Sequence, residues 1–386
     1  MPSRSAAPLR LTLLLLVMAT TASPQNRPRA RDLGVPLDGT SGTLNAITDL
    51  SGIEVGHVTL NTENARTGVT VVWPRGKQST APAFGAWFSL NGNGEMTGTT
   101  WVEESGFVDG PIFLTNTHSV GTVRDAFIAW KVRNNIRPGT NSFPEGFWAL
   151  PIVAETWDGV LNDINAFLIK PAHVEQAIQD SRGGPVPEGN VGGGTGMICF
   201  GFKGGIGTAS RIAGNYTVAA LVQCNCGSRK QLRIAGVPIG MELANVQMAS
   251  LPPSLEDRGS IIIVVATDAP LLSHQLKRLA RRASLGLARL GSTSGNGSGD
   301  IFIAFSTANA QAGQSNGVAN VAMLPNDDVN PIFQATVEAV EESIVNALVA
   351  AEDMTGYNGR KVPALPHDAL RDTLAKYNRL QPAAVR

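Results

Sequence analysis

Short runs rich in β-branched residues alternate along this chain with longer amphipathic segments, and this alternation limits the folds open to it. The β-branched runs predict buried strands at residues 69–73, 216–223, 260–267 and 301–306. Helical periodicity predicts helices at residues 122–134, 173–181, 272–290 and 330–350. Strands interleaved with long amphipathic helices favour a layered α/β or α+β body.

The composition fits a large globular protein. The chain has 386 residues, of which 43% are hydrophobic and 16% charged, so it can bury a sizeable core. Its formal net charge is zero and its pI is near 7.0, which argues against nucleic acid as a partner. No repeat or linker divides it, so we expect a single domain over residues 23–386. Residues 24–31 are predicted to form a flexible leader, and residues 361–386 a surface segment.

The first 22 residues have the features of a secretory signal peptide. Arg4 and Arg10 flank the start of an apolar run at residues 11–18, and small residues follow it. The run is short for a membrane span, although an uncleaved anchor is the alternative interpretation. We expect cleavage near Ala22 and a periplasmic or secreted protein with no membrane association after the signal is removed.

The cysteines and histidines do not indicate a metal site. Three cysteines, Cys199, Cys224 and Cys226, are too few for a disulfide scaffold and are odd in number, so at least one is free or paired between chains. None of the five histidines has zinc-type spacing. We therefore expect no metal or organic cofactor, and the role of Cys224 and Cys226 stays open.

Glycine is abundant, with 42 residues, and is concentrated at residues 91–98, 192–207 and 291–299. Such loops let the backbone approach another group closely. Residues 192–196 are a possible phosphate cradle, but the Lys-Ser/Thr continuation of a P-loop is missing.

The chemical feature that stands out is Gly227-Ser228, at the end of the predicted strand 216–223. A serine hydroxyl directly after glycine can attack the glycine carbonyl, and hydrolysis of the resulting ester leaves serine as a new N-terminus. Its α-amine, with an ordinary pKa of about 7.7–8.0, can then act as the general base. Taken alone, a Gly-Ser pair is more often an ordinary turn.

Several motifs in order give this pair more weight. Together they resemble the L-aminopeptidase/D-esterase and β-aminopeptidase family. The matching segments are residues 101–106, 115–121, 155–159, 188–196, 202–211, 221–228 and 266–271. The resemblance implies a four-layer αββα sandwich, related to N-terminal nucleophile hydrolases but with different strand connectivity. It also implies self-cleavage into an α chain, residues 23–227, and a β chain, residues 228–386.

The resemblance further implies roles for individual residues. Ser228 is the expected nucleophile, formed by cleavage after Gly227. Asn190, in a glycine-rich loop, is the expected oxyanion-hole donor, with turn stabilisation as the alternative. Glu104, preferred over Glu103, is expected to bind the substrate amine, with a solvated surface role for either as the alternative.

The partner of the Ser228 amine is less certain from sequence. Asp268 and Thr267, at the end of a predicted buried strand, are the preferred groups, and Ser260, at the head of that strand, is a weaker candidate. Asn116 is expected to line the substrate pocket.

The predicted function is that of an exported serine aminopeptidase that hydrolyses small peptide, amide or ester substrates. The sequence leaves open whether the released residue is an L-, D- or β-amino acid. An acyltransferase of the related self-cleaving fold is the first alternative, although those enzymes usually present threonine at the new N-terminus. A binding or structural protein without catalysis is the second. We expect a homo-oligomer, with a tetramer as the specific prediction.

Overall fold

A computed structural model describes residues 27–136, 148–246, 259–313 and 317–382. The predicted signal peptide and its cleavage position lie outside these ranges. None of the helices within them is long and apolar enough to cross a membrane.

Strands and helices alternate along the described chain. The strands are β1 (Glu54–Asn61), β2 (Arg66–Trp73), β3 (Ala83–Ser89), β4 (Phe107–Val108), β5 (Ile112–Asn116), β6 (Ile152–Thr156), β7 (Ile198–Cys199), β8 (Phe202–Lys203), β9 (Gly205–Ala213), β10 (Tyr216–Asn225), β11 (Ser260–Thr267), β12 (Ile301–Ser306), β13 (Met354–Thr355) and β14 (Lys361–Val362). The helices are α1 (Thr99–Ser105), α2 (Val120–Arg133), α3 (Pro171–Gln179), α4 (Ile239–Glu242), α5 (Ser273–Arg289), α6 (Asn330–Val349) and α7 (His367–Lys376).

The strands form two main sheets. The smaller sheet has the order β1-β2-β5-β6, and the larger has the order β4-β3-β12-β11-β10-β9. Strand β11 lies inside the larger sheet, antiparallel to β10 and parallel to β12. Strand β11 pairs with β10 from its first residue, Ser260, and with β12 from Ile262 onward.

The two sheets pack face to face, with helices on both outer faces. Between the sheets, Val72 and Leu114 of the smaller sheet meet Leu221 and Val264 of the larger one in a common apolar core. Helices α2 and α3 cover the outer face of the smaller sheet. Helices α5 and α6 cover the larger sheet. The predicted four-layer αββα sandwich is confirmed.

The predicted elements agree closely with the observed ones. Strands β11 and β12 have the predicted bounds, and the four predicted helices begin and end within a few residues of α2, α3, α5 and α6. The prediction for the C-terminal region is wrong in part, because α7 buries Leu370 and Leu374 against the core. The two leucines are four residues apart, on one face of an otherwise polar helix.

The predicted flexible leader is also attached to the body over its described part. Arg29 forms an ion pair with the buried Glu188, with 2.8 Å between Nε and Oε2. The backbone N–H of Ala30 donates to the Asn346 side chain at 3.0 Å. Residues 27–31 therefore belong to the folded domain.

Candidate active site

One end of the sandwich collects polar residues from both sheets. In the larger sheet, Asn225 at the end of β10 lies opposite Ser260 at the start of β11. In the smaller sheet, β5 and β6 both terminate at this same end. Gln223 joins the two sheets, since its Nε2 donates to the Thr115 carbonyl at 2.9 Å and to Thr156 Oγ1 at 2.8 Å.

Ser260 is at the centre of this end of the larger sheet. It is 4% exposed, and its Oγ accepts a hydrogen bond from the Gly299 N–H at 3.1 Å. The residue before it must be glycine, because a Cβ on Gly259 would lie 2.3 Å from the Asn225 carbonyl oxygen. The chain therefore presents a second Gly-Ser pair, with the serine fixed at the head of a central strand.

Ser298 and Asp300 lie beside Ser260. The fully buried Asp300 accepts hydrogen bonds at Oδ1 from the Ser298 hydroxyl at 2.5 Å and from the Ile261 N–H at 3.1 Å. Its Oδ2 is buried and has no hydrogen-bond partner within the described residues. Burial raises the pKa of Asp300, although several hydrogen bonds oppose the shift. A buried carboxyl group with a free oxygen, next to two hydroxyl groups, can hold or transfer a proton.

Asn225 places an amide next to Ser260. Its Oδ1 accepts from the Ile198 N–H at 2.8 Å, and its Nδ2 donates to the Trp157 carbonyl at 3.0 Å. These bonds fix the amide plane and use one of the two N–H bonds of Nδ2. The other N–H has no acceptor among the described residues, so it can donate to an oxyanion that forms at Ser260.

Glu155 supplies an acidic group from the smaller sheet. It is 3% exposed, accepts from the Glu95 N–H at 2.9 Å and accepts from the Thr117 hydroxyl. Burial raises its pKa, and the two hydrogen bonds oppose the shift. Gly94 lies between Glu155 and the loop that contacts Ser260. A Cβ on Gly94 would be 3.3 Å from Glu155 Oε1 and 3.0 Å from the Gly299 Cα, so the Glu155 carboxyl group is close to that loop.

Asn116, predicted to line the pocket, lies at this end but in a buried layer behind it. Its Nδ2 donates to Thr67 Oγ1 at 2.7 Å. Burial raises the pKa of Asp158 to about 7, against hydrogen bonds that include those from Thr67 and Asn116. Direct contact of Asn116 with a substrate stays a prediction.

Ser228, the predicted nucleophile, lies in a turn after β10. Gly227 has a φ of +67°, and a Cβ there would lie 2.3 Å from the Phe200 ring. The Ser228 N–H donates to Gln231 Oε1 at 2.8 Å. No carboxylate of the described residues hydrogen-bonds to Ser228, and its role as the nucleophile stays a prediction.

Thr267 and Asp268, predicted to hold the Ser228 amine, lie at the far end of the sheet from the turn that contains Ser228. Thr267 pairs with Val218, at the opposite end of β10 from Asn225. Seven residues of strand separate Thr267 from Ser260, which corresponds to about 23 Å. Both side chains instead bond to the Thr217 backbone, Thr267 Oγ1 to its carbonyl at 2.8 Å and Asp268 Oδ1 to its N–H at 2.7 Å.

Asn190 is also placed away from Ser228 and Ser260. Its side-chain amide bonds to the Glu352 backbone, with Nδ2 donating to the carbonyl at 2.9 Å and Oδ1 accepting from the N–H at 3.2 Å. The neighbouring Gly189 bridges to the edge strand β9 at Ile206. The structure therefore supports the alternative interpretation of Asn190, a group that stabilises a turn.

Glu104 does not reach this end of the sheet either. It is exposed on α1. Two residues later the Gly106 carbonyl accepts from the Gly85 N–H, and Gly85 pairs with Phe305 near the far end of β12. The neighbouring Glu103 forms an ion pair with Lys277 on the surface. The acidic side chain at this end of the sheet is Glu155, and the role of Glu104 in binding the substrate amine stays a prediction.

Four polar groups at the site have no role among the predictions made from sequence. They are Asn225, Glu155, Ser298 and Asp300. The glycine pattern contained a usable signal, since two of the three glycine-rich segments, 91–98 and 291–299, meet here through Gly94 and Gly299. The second Gly-Ser pair, at the head of a predicted buried strand, was another signal in the sequence that pointed to this site.

Comparisons with known proteins identify the family. The model of peptidase family S58 matches residues 45–362. The chain belongs to peptidase family S58. The predicted family resemblance is confirmed, and so is the prediction of a serine-type N-terminal nucleophile hydrolase.

Relatives and solved structures in this family cover nearly the whole chain. The chain is 51% identical to the β-peptidyl aminopeptidase BapA of Sphingosinicella microcystinivorans, over 95% of this chain and 97% of that protein. It is similar to the solved L-aminopeptidase D-Ala-esterase/amidase of Ochrobactrum anthropi, a prototype serine aminopeptidase with a variant Ntn hydrolase fold. The TM-score is 0.84 at 46% identity, covering 92% of this chain and 100% of that one. A β-aminopeptidase from a Burkholderia species gives a TM-score of 0.80 at 46% identity, covering 93% and 100%.

Proposed function

We propose that this S58 peptidase is an aminopeptidase that removes β-amino acid residues from peptide N-termini, with Ser260 as its nucleophile. The observation that carries the proposal is the position of Ser260 at the head of β11, beside Asn225, Ser298 and Asp300. This revises the prediction of Ser228, whose turn offers no comparable set of groups.

Self-cleavage then occurs between Gly259 and Ser260. The Ser260 hydroxyl attacks the Gly259 carbonyl, the C–N bond breaks, and an ester joins the two parts of the chain. Water hydrolyses the ester and leaves the Ser260 α-amine free. The ladder to β10 holds the new N-terminus in place, because it begins at the pair Asn225 and Ser260, and β12 pairs with β11 from Ile262 onward.

In turnover, Ser260 Oγ attacks the substrate carbonyl and its own α-amine accepts the hydroxyl proton. The free N–H of Asn225 stabilises the oxyanion. The pair Ser298 and Asp300 holds the amine and exchanges protons with it, since Asp300 has one buried oxygen without a partner.

Glu155 binds the protonated amine of the substrate. Its carboxyl group is buried, positioned by two hydrogen bonds, and near the loop that contacts Ser260. An anion in a buried site binds an ammonium group more strongly than one on the surface, because less water screens the interaction. The preference for β-amino acids is supported by the 51% identity to a β-peptidyl aminopeptidase.

The experiment compares kcat/KM for β-alanyl, L-alanyl and D-alanyl p-nitroanilides with the processed protein. We expect the β-alanyl substrate to be hydrolysed fastest, and p-nitroaniline release measures the rate. Faster hydrolysis of either α-amino acid substrate would contradict the β preference while leaving the aminopeptidase activity in place. Transfer to an added amine in preference to water would favour the acyltransferase alternative.

We also propose that the protein is exported after removal of residues 1–22 and acts in the periplasm or outside the cell. The charged and apolar pattern of this segment supports the proposal. Fractionation of cells that express the full chain, with N-terminal sequencing of the α chain, tests it. Recovery in the cytoplasm with the segment intact would contradict it.

A further inference from the structure

The three cysteines lie together beside the catalytic end of the larger sheet. Cys199, Cys224 and Cys226 are fully or almost fully buried. The Sγ atoms of Cys199 and Cys226 are 3.0 Å apart. This separation is only about 1 Å longer than a disulfide bond of ~2.05 Å. A small side-chain movement is therefore enough to join the two sulfur atoms.

The backbone already brings these two residues together. Cys199 ends β7, and the N–H of the next residue, Phe200, donates to the Cys226 carbonyl at 2.6 Å. One residue earlier on each side, the Ile198 N–H donates to Asn225 Oδ1 at 2.8 Å. A covalent link between Cys199 and Cys226 would thus fix the hairpin β7-β8 to β10 next to the oxyanion donor.

The buried Lys203 lies next to Cys199, and its charged form favours the Cys199 thiolate, although burial lowers the pKa of Lys203 to about 7. Lys203 donates from Nζ to the carbonyl oxygens of Gly194, Met197 and Gly204 at 2.8–3.2 Å. Burial opposes ionisation of the Cys199 thiol, but hydrogen bonds from the other two cysteines and the charge of Lys203 outweigh it and lower its pKa. The thiolate is the form of cysteine that attacks a disulfide.

We propose that Cys199 and Cys226 form a structural disulfide in the exported protein, whereas Cys224 keeps its thiol. A disulfide donor, such as oxidised glutathione or an oxidised dithiol oxidoreductase, supplies the oxidant. During folding, before these sulfur atoms are buried, the Cys199 thiolate attacks one donor sulfur and the donor S–S bond breaks. The Cys226 sulfur then attacks the mixed disulfide. Two protein thiols lose two electrons and two protons, and the donor gains them as two thiols.

The proposal rests in part on the proposed export, so the test has two arms. In the first, the full chain is recovered from the extracytoplasmic fraction, denatured, alkylated without reduction and analysed by mass spectrometry. In the second, chain made in a reducing cytoplasm is unfolded and refolded with oxidised and reduced glutathione, then treated in the same way. We expect one alkyl group per molecule in both arms, on Cys224, and three after reduction.

Variants identify the pair. Cys224→Ser keeps the disulfide and Cys199→Ser loses it. Reductant should lower the thermal midpoint of the native protein and of Cys224→Ser by about 5 °C, but leave Cys199→Ser unchanged. Three alkyl groups in both arms, or a disulfide that includes Cys224, overturns the proposal. If the chain from cells is found in the cytoplasm and carries three alkyl groups, whereas the refolded chain carries one, the result refutes export and supports the Cys199–Cys226 pairing.

Discussion

Two Gly-Ser pairs lie near each other at one end of this molecule, and their surroundings differ. Gly227-Ser228 is in a turn, where the serine N–H bonds to Gln231 and the glycine packs on the Phe200 ring. Gly259-Ser260 begins a central strand, where the serine faces an amide, a hydroxyl group and a buried carboxyl group from other elements.

The difference shows what the dipeptide contributes by itself. Both glycines are required by close approach, since a Cβ at either position would lie 2.3 Å from a neighbouring atom. Close packing therefore requires glycine in both places. Only the convergence of distant segments, residues 91–98, 155 and 298–300, turns one of them into a site that can perform acyl transfer.

The largest effect is expected for the two serines. Ser260→Ala should abolish self-cleavage and lower kcat/KM by about 10⁴-fold or more, because it removes the nucleophile. Ser228→Ala should leave kcat/KM within about threefold of the native value, since a polar turn residue is lost. Rates on one p-nitroanilide and gel analysis of processing measure both. Loss of activity in Ser228→Ala but not in Ser260→Ala would show that Ser228 is the nucleophile.

The oxyanion donor gives the next largest effect. Asn225→Ala should lower kcat by about 10²–10³-fold, because one stabilising N–H is removed from the transition state. Asn190→Ala is the matched control, and we expect kcat to change little there because its amide bonds to Glu352. Steady-state kinetics on fully processed samples distinguish the two. Equal losses in both variants would argue against Asn225.

A smaller effect is expected at the amine-binding group. Glu155→Gln should raise KM by about 10–100-fold with a smaller change in kcat, because a charged hydrogen bond to the substrate amine is weakened. Glu104→Gln, on the exposed face of α1, should leave KM unchanged. The measurement is the dependence of rate on substrate concentration. A KM that rises only in Glu104→Gln would restore the prediction made from sequence.

The smallest effect concerns stability against pH at Asp300. Because burial raises its folded pKa above the ordinary 3.8, the unfolded chain ionises first as pH rises. Asp300 therefore makes the free energy of unfolding fall as pH rises above about 4. Asp300→Asn should reduce this fall, and Asp327→Asn, at an exposed position, should not.

Urea unfolding between pH 4 and 7 measures the effect. Both substitutions are made in the Ser260→Ala chain, so that processing does not differ between samples. If the free energy of unfolding depends on pH in the same way with and without the Asp300 carboxyl group, burial of that group does not destabilise the folded chain.

The sequence predicted the fold well because local patterns determine it. The strand β11 and the helix α6 follow from runs of β-branched and apolar residues, whose period depends only on neighbours along the chain. The site was predicted less well. Thr267 and Ser260 were both candidates from one strand, and strand register, which no local pattern specifies, decides which end of β10 each one faces.

Asn225 and Glu155 show the same limit. Asn225 was part of the segment around the first Gly-Ser pair, and Glu155 was in a motif that carried the family resemblance. Their proximity depends on the packing of two separate sheets, through contacts such as Asn225 Nδ2 to the Trp157 carbonyl at 3.0 Å. A sequence alone gives the residue types but not this distance.

N-terminal sequencing and intact-mass analysis of the native protein test the central claim most directly. We predict a β chain that begins Ser260-Ile261-Ile262, and an uncleaved chain in the Ser260→Ala variant. A β chain that begins Ser228-Arg229-Lys230, or cleavage that persists without the Ser260 hydroxyl, would contradict the assignment.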